Sequence, residues 1–144
     1  MSAFTDYLEN KLLDHVLRGL TYAMPTGIFL GLFTTPSSDA GPGTEVGGGS
    51  YARVQVGPSQ SAWTATQGGT SGASSGTTGQ SGNAADAAFP SPTAAWGTVT
   101  HFGLFDAASG GNLLFQGALA AAKTINAGDA APKFLAGALT VTLA

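Results

Sequence analysis

Residues 96–119, WGTVTHFGLFDAASGGNLLFQGAL, constrain the fold of this chain more than any other stretch. Two apolar runs, 98–105 and 113–119, flank the segment Asp106-Ala107-Ala108-Ser109-Gly110-Gly111-Asn112. Gly, Asn and Asp supply the positive-φ and side-chain-capped conformations that a connecting loop needs, so the pattern predicts two antiparallel strands and their turn. Alternation is incomplete: Phe102, Leu104 and Phe105, then Leu113, Leu114 and Phe115, put apolar groups on both faces. Strands of that kind belong inside a sandwich or at a subunit interface. The only ionisable groups here are His101 and Asp106, so the segment reads as built for packing rather than chemistry.

The other elements follow from periodicity. Leu8, Leu12, Leu13, Val16, Leu17 and Leu20 trace one helical stripe, with Thr5 as N-cap, Asp6 and Glu9 near the positive end of the dipole and Gly19 at the C-cap. Asp14 and Arg18 form an i,i+4 pair. The stripe is expected to be covered, by the chain's own sheet or by a neighbouring protein. Pro25 and Gly27 precede Ile28-Phe29-Leu30-Gly31-Leu32-Phe33, short enough and well enough bounded to be a buried strand. Residues 34–50, with Pro36, Pro42 and Gly47-Gly48-Gly49, form a long loop. Residues 51–56 alternate, with Ala52, Val54 and Val56 on one face, and predict a half-exposed strand. Short strands are also expected at 63–66, 83–89, 124–125 and 139–143. Residues 67–82, QGGTSGASSGTTGQSG, lack the apolar surface to offset their own ordering entropy, so they are expected to form a flexible loop or one ordered by neighbouring subunits. Gly31-Leu32-Phe33 and Gly103-Leu104-Phe105 echo one another, which two similar buried strands explain without a duplication.

These elements predict an all-β fold: an antiparallel, jelly-roll-like β-sandwich at 21–144 carrying one N-terminal amphipathic helix within 1–20. Composition narrows the function classes. Only 9% of the residues are charged, against about 25% ordinarily, and the chain holds 22 glycines. So little charge points to a surface that is either neutral Ser/Thr/Gly or buried against other subunits. A net charge of −3 and the scattered cations Lys11, Arg18, Arg53, Lys123 and Lys133 argue against direct nucleic-acid binding. Cysteine is absent, which excludes disulfides and thiolate metal sites. No signal-peptide core or membrane-length apolar run is visible, so the expectation is a chain made and used in the cytoplasm, or carried out of it inside something larger.

No catalytic constellation emerges. His15 and His101 lack a third imidazole and carboxylates at ligand spacing, which predicts no metal site. The serines lie in glycine-rich linkers with no G-x-S-x-G elbow, and the carboxylates are scattered singly. Gly47-Gly48-Gly49 lacks the Lys-Ser/Thr of a phosphate loop, and 67–82 matches no dinucleotide fingerprint. No cofactor is predicted. Trp63, Trp96 and Tyr51 could stack on sugars but read better as core or interface anchors. The expected interface residues are Leu12, Val16 and Leu20 on the helix, with Trp96, Phe102, Phe105 and Phe115 around the hairpin.

The segments YLENKLLDHVLRG, IFLGLFTTP, GTEVGGGSYARVQV, NAAD…FP and AAWGTVTHFGLFDAASGGNLLFQGAL, in that order, resemble a family of small virion proteins of tailed bacteriophages, often labelled tail-fibre-like. The resemblance implies a non-enzymatic virion component and carries no catalytic or binding residues. A long fibre needs repeats or coiled coil, and one short helix with a compact sheet supplies neither. The first expectation is therefore a capsid cement or decoration protein, a homotrimer bridging major capsid subunits. A small tail, baseplate or fibre-associated protein comes second, and a carbohydrate-binding sandwich third.

Overall fold

The computed structural model describes residues 2–143. In chain order its elements are β1 (Ser2–Phe4), α1 (Asp6–Leu17), β2 (Ile28–Phe33), β3 (Val54–Gly57), β4 (Gln80–Gly82), β5 (Ala87–Ala88), β6 (Gly97–Phe105), β7 (Leu113–Ile125), β8 (Lys133–Phe134) and β9 (Thr140–Thr142). The fold is all-β and antiparallel with a single N-terminal helix, as the patterning predicts. A five-stranded sheet in the order β1-β7-β6-β2-β3 is its main layer. The second layer consists of two separate ribbons, β4-β9 and β5-β8, rather than one continuous sheet.

The β6–β7 hairpin is the spine of the main sheet. Leu30 and Leu32 of β2 pair with Leu104 and Phe102 of β6, so all four point to one face. There they join Val56, Val99 and Ile125 and meet Ala87, Phe89, Leu139 and Val141 from the ribbon side, with Trp96 and Val46 completing the core. Leu139 and Val141 share one face of the terminal run, as strict alternation requires. The opposite face carries a smaller cluster, Phe33, Phe105 and Leu113. This is why the hairpin does not alternate: each of its faces packs on something.

The echo between 31–33 and 103–105 has a structural cause. Gly31 and Gly103 stand opposite each other in the register. A Cβ on Gly31 would lie 3.1 Å from the Phe105 ring, and one on Gly103 would lie 2.7 Å from the Phe33 ring. Each phenylalanine thus lies over the other strand's glycine, and the two rings meet edge-on at 5.9 Å.

Several elements differ from expectation. β7 runs through Ile125 and absorbs the short piece expected at 124–125. It bulges on the way: between the pairs Val99–Lys123 and His101–Ala118, β6 holds only Thr100 while β7 holds Leu119, Ala120, Ala121 and Ala122. Residues 63–66 make only an isolated bridge, Trp63 to Asn83, and 83–89 contribute only β5. Of the low-complexity stretch, 80–82 is strand β4. The rest of it closes on polar side chains: Gln67 binds the Ala73 carbonyl and the Ser75 N–H, and Thr66 takes the Gly76 N–H and the Thr78 hydroxyl. Asn83, 2% exposed, uses its amide on the Ala85 and Leu135 carbonyls and the Leu139 N–H, which pins the return into β9.

Candidate interaction surface

α1 is anchored by its first turns only. The Thr5 hydroxyl accepts from the Leu8 N–H and donates to the Leu113 carbonyl, and the Thr5 N–H donates to Leu114 O at 3.1 Å. These bonds tie the helix start to the beginning of β7. Leu8 is buried against the body, whereas Leu12 is only half-buried. The rest of the stripe faces solvent: Leu13, Val16 at 73% exposure, Leu17 at 75% and Leu20. Met24 is exposed as well. The helix ends at the Arg18 C-cap, Gly19 has a φ of +72°, and the Tyr22 N–H returns to His15 Nδ1 at 3.1 Å. Of the two covers expected for the stripe, the protomer itself buries Leu8 and half-buries Leu12. Val16 and Leu20 remain open to a neighbour.

The four aromatic interface candidates lie largely inside the protomer. Trp96, Phe102 and Phe105 are each 5% exposed or less, and Phe115 is half-buried against the same core. Within the protomer they act as packing anchors. Trp96 donates its indole N–H to Gly49 O at 2.9 Å and meets Tyr51 edge-on, while Phe102 meets Phe134. Trp63 likewise gives its N–H to Val56 O. Trp96, at 4% exposure, is no open stacking platform.

The most elaborate polar cluster was not anticipated. Arg53, whose side chain is 6% exposed, forks onto Glu45: Nε to Oε1 and Nη2 to Oε2, each at 2.8 Å. Its Nη1 donates to the carbonyls of Ala107 and Gly110, both at 2.8 Å. The guanidinium lies 3.4 Å from the Phe105 ring centroid. Tyr51 completes the group by donating its hydroxyl to Glu45 Oε1 and accepting the Leu32 N–H. Burial pushes the Tyr51 hydroxyl well above its ordinary 10.0, and the Glu45 charge adds to the rise while the Leu32 hydrogen bond opposes it. Gly31 makes the closure possible, because a Cβ there would sit 3.0 Å from Glu45 Oε1. The alternation of 51–56 carried a signal for Arg53: it shares the opposite parity from Val54 and Val56. Its partners at 45, 107 and 110 are brought in only by tertiary structure.

This cluster satisfies itself completely. Every charge and hydroxyl in it is matched within the protomer, so it clamps the 106–112 loop to the sheet and offers no vacant donor to a substrate. His101 Nδ1 bonds the neighbouring Thr100 hydroxyl, and among the described residues no group of three or more His, Cys, Asp or Glu gathers at metal-binding distance. No helix among them is long and apolar enough to cross a membrane.

A second surface lies at the far end of β7. Below the bulge, a cavity of about 600 Å³ opens between β7 and the ribbons, lined by Phe89, Phe102, Leu119 and Phe134, with Lys123 and Lys133 at its lining.

A family model described as "Podophage GP4 fiber I protein gp80" matches residues 3–142, from within β1 to the end of β9. No curated protein matches the chain.

Proposed function

The chain belongs to the podophage GP4 fiber I protein gp80 family, a family of phage virion structural proteins, and on that premise we propose that it is a small structural subunit of the tail-fibre apparatus. The observation that carries this reading is the family match, which takes in nearly the whole fold rather than one motif. The physical features agree with it. The one elaborate polar cluster is spent on internal clamping, and Leu13, Val16 and Leu17 leave an exposed apolar stripe on one helix. Such a protomer works by packing with copies of itself and with neighbouring tail proteins, without catalysis.

The fibre reading takes precedence over the capsid-cement expectation because the family description names a fibre protein. Both share a non-enzymatic, multi-copy role. Particles lacking the protein separate them. A fibre subunit predicts heads that retain DNA on mild heating but particles that fail to adsorb, with immunogold label on the tail. Leaking heads with normal adsorption, and label over the capsid, would overturn the fibre assignment.

A further inference from the structure

The two unpartnered surfaces complement each other. One is convex: Leu13, Val16 and Leu17 project from α1, Leu20 is exposed just past its C-cap, and the same stripe runs back through Glu9 to Asp6 at i,i+3 and i,i+4 spacing. Neither Asp6 nor Glu9 forms a salt bridge among the described residues. The other is concave: the apolar cavity behind the β7 bulge, with Lys123 and Lys133 at its lining. Lys123 has no ion-pair partner among the described residues, and Lys133 holds Asp86 only at 3.5 Å. An apolar ridge that begins with two unpaired carboxylates therefore matches an apolar hollow bordered by under-paired ammonium groups.

The two lie at opposite ends of one strand. The helix is fixed at Leu113 and Leu114, and Tyr22 behind it lies close enough to Asp106, in the loop at that end, to feel its charge. The cavity is at Leu119, Lys123 and Ile125. At about 3.3 Å per residue, the strand separates them by roughly 20 Å once the bulge is discounted. The ridge of one copy is thus placed to meet the hollow of the next.

We infer that the α1 stripe of one copy docks into the β7 cavity of a second copy, head to tail. The contact is heterologous: the two copies present different surfaces, so repetition generates a ring or an open stack. The acidic start of the helix sets the orientation by placing Asp6 and Glu9 towards Lys123 and Lys133, which favours encounter in one register. The inference specifies the self-packing part of the fibre reading, and its test is run on purified protein, so placing the protein elsewhere on the particle would leave it standing.

The absence of cysteine makes the test direct. Leu17→Cys and Ala121→Cys both alter solvent-facing positions, and circular dichroism checks that each variant folds. Disulfide formation needs Cα atoms within about 7 Å, so it reports one geometry. The expected result is that a mixture of the two single variants oxidises to a heterodimer, neither single variant cross-links to itself, and the double variant gives a ladder or closed ring. Self-cross-linking of Leu17→Cys alone would show helix against helix and overturn the proposal, as would a mixture that yields no heterodimer. Sedimentation supplies a second arm. Lys123→Glu is expected to weaken self-association about tenfold, and Glu9→Lys in the same chain to restore most of it. A Lys123→Glu protein that associates like the parent, or one that Glu9→Lys fails to rescue, would refute the charge register.

Discussion

Replacing Arg53 with alanine removes the clamp between the sheet and the hairpin loop, and the size of the effect follows from what is left behind. Glu45 loses both guanidinium bonds and keeps only the Tyr51 hydroxyl, while the carbonyls of Ala107 and Gly110 lose their donor. Breaking a buried ion pair by removing one partner costs about 3–5 kcal/mol. Glu45 is 27% exposed, so water reaches the orphaned carboxylate and the lower end of that range applies. The expected loss is about 3 kcal/mol, or roughly 10 °C in melting temperature for a chain of this size. Urea and thermal denaturation followed by circular dichroism measure it, with hydrogen exchange expected to quicken across 106–112. Arg53→Lys keeps the charge but not the fork or the stacking on Phe105, so it should recover less than half of the loss. A double cycle with Glu45→Gln isolates the pair from the carbonyl bonds. If Arg53→Ala melted within about 2 °C of the parent, the cluster would be a surface ornament and the argument for a clamp would fail.

Two further outcomes follow from the same region. Burial raises the Tyr51 hydroxyl above its unfolded value of 10.0, so the folded state keeps a proton that the unfolded state releases. That contribution is fully present below about pH 10 and is lost as the pH rises further, giving urea midpoints that fall steeply in strong alkali. Tyr22 is shifted the same way by burial, so the Tyr51→Phe variant supplies the difference; an alkaline decline unchanged in that variant would remove Tyr51 from the account. Gly103→Ala places a Cβ 2.5 Å from Leu113 Cδ1 and 2.7 Å from the Phe33 ring, and the overpacking should cost about 1–3 kcal/mol by denaturant titration. A neutral Gly103→Ala would mean that the two rings have room to shift and that the paired glycines are not needed.

What the sequence disclosed depended on how local the cause was. The α1 stripe and the β6–β7 hairpin were legible because 3.6- and 2-residue periods appear within one stretch of chain. β1, β4 and β8 were not, because Ser2–Phe4, Gln80–Gly82 and Lys133–Phe134 are strands only by virtue of the strand beside them. The bulge at 119–122 escaped for a related reason: alanines carry no preference strong enough to mark where a ladder slips. Apolarity identified Trp96, Phe102, Phe105 and Phe115 as anchors but could not assign them to the protomer or to an interface. Both environments select the same side chains. Arg53 was the opposite case, since an arginine on a half-buried strand reads as a surface charge until Glu45 and the loop carbonyls are brought to it.

That partition bears on the proposed association. Had the aromatic hairpin formed the subunit contact, the sheet itself would be incomplete in a lone protomer, and folding would require assembly. With those side chains buried at home, the main sheet is finished within one chain, and the Arg53 cluster locks the hairpin loop onto it without outside help. The apolar groups left exposed on α1 are held by a helix attached through its first turns, and none of them belongs to either core cluster. Under the docking proposed above, folding and association then rest on different residues. Charged substitutions at Val16 or Leu17 should abolish association while leaving the melting transition of the protomer intact, whereas changes at Arg53 or Gly103 should do the reverse until the protomer itself fails. A structural subunit that must accumulate folded before its neighbours arrive gains from that separation, because its core never waits for a partner.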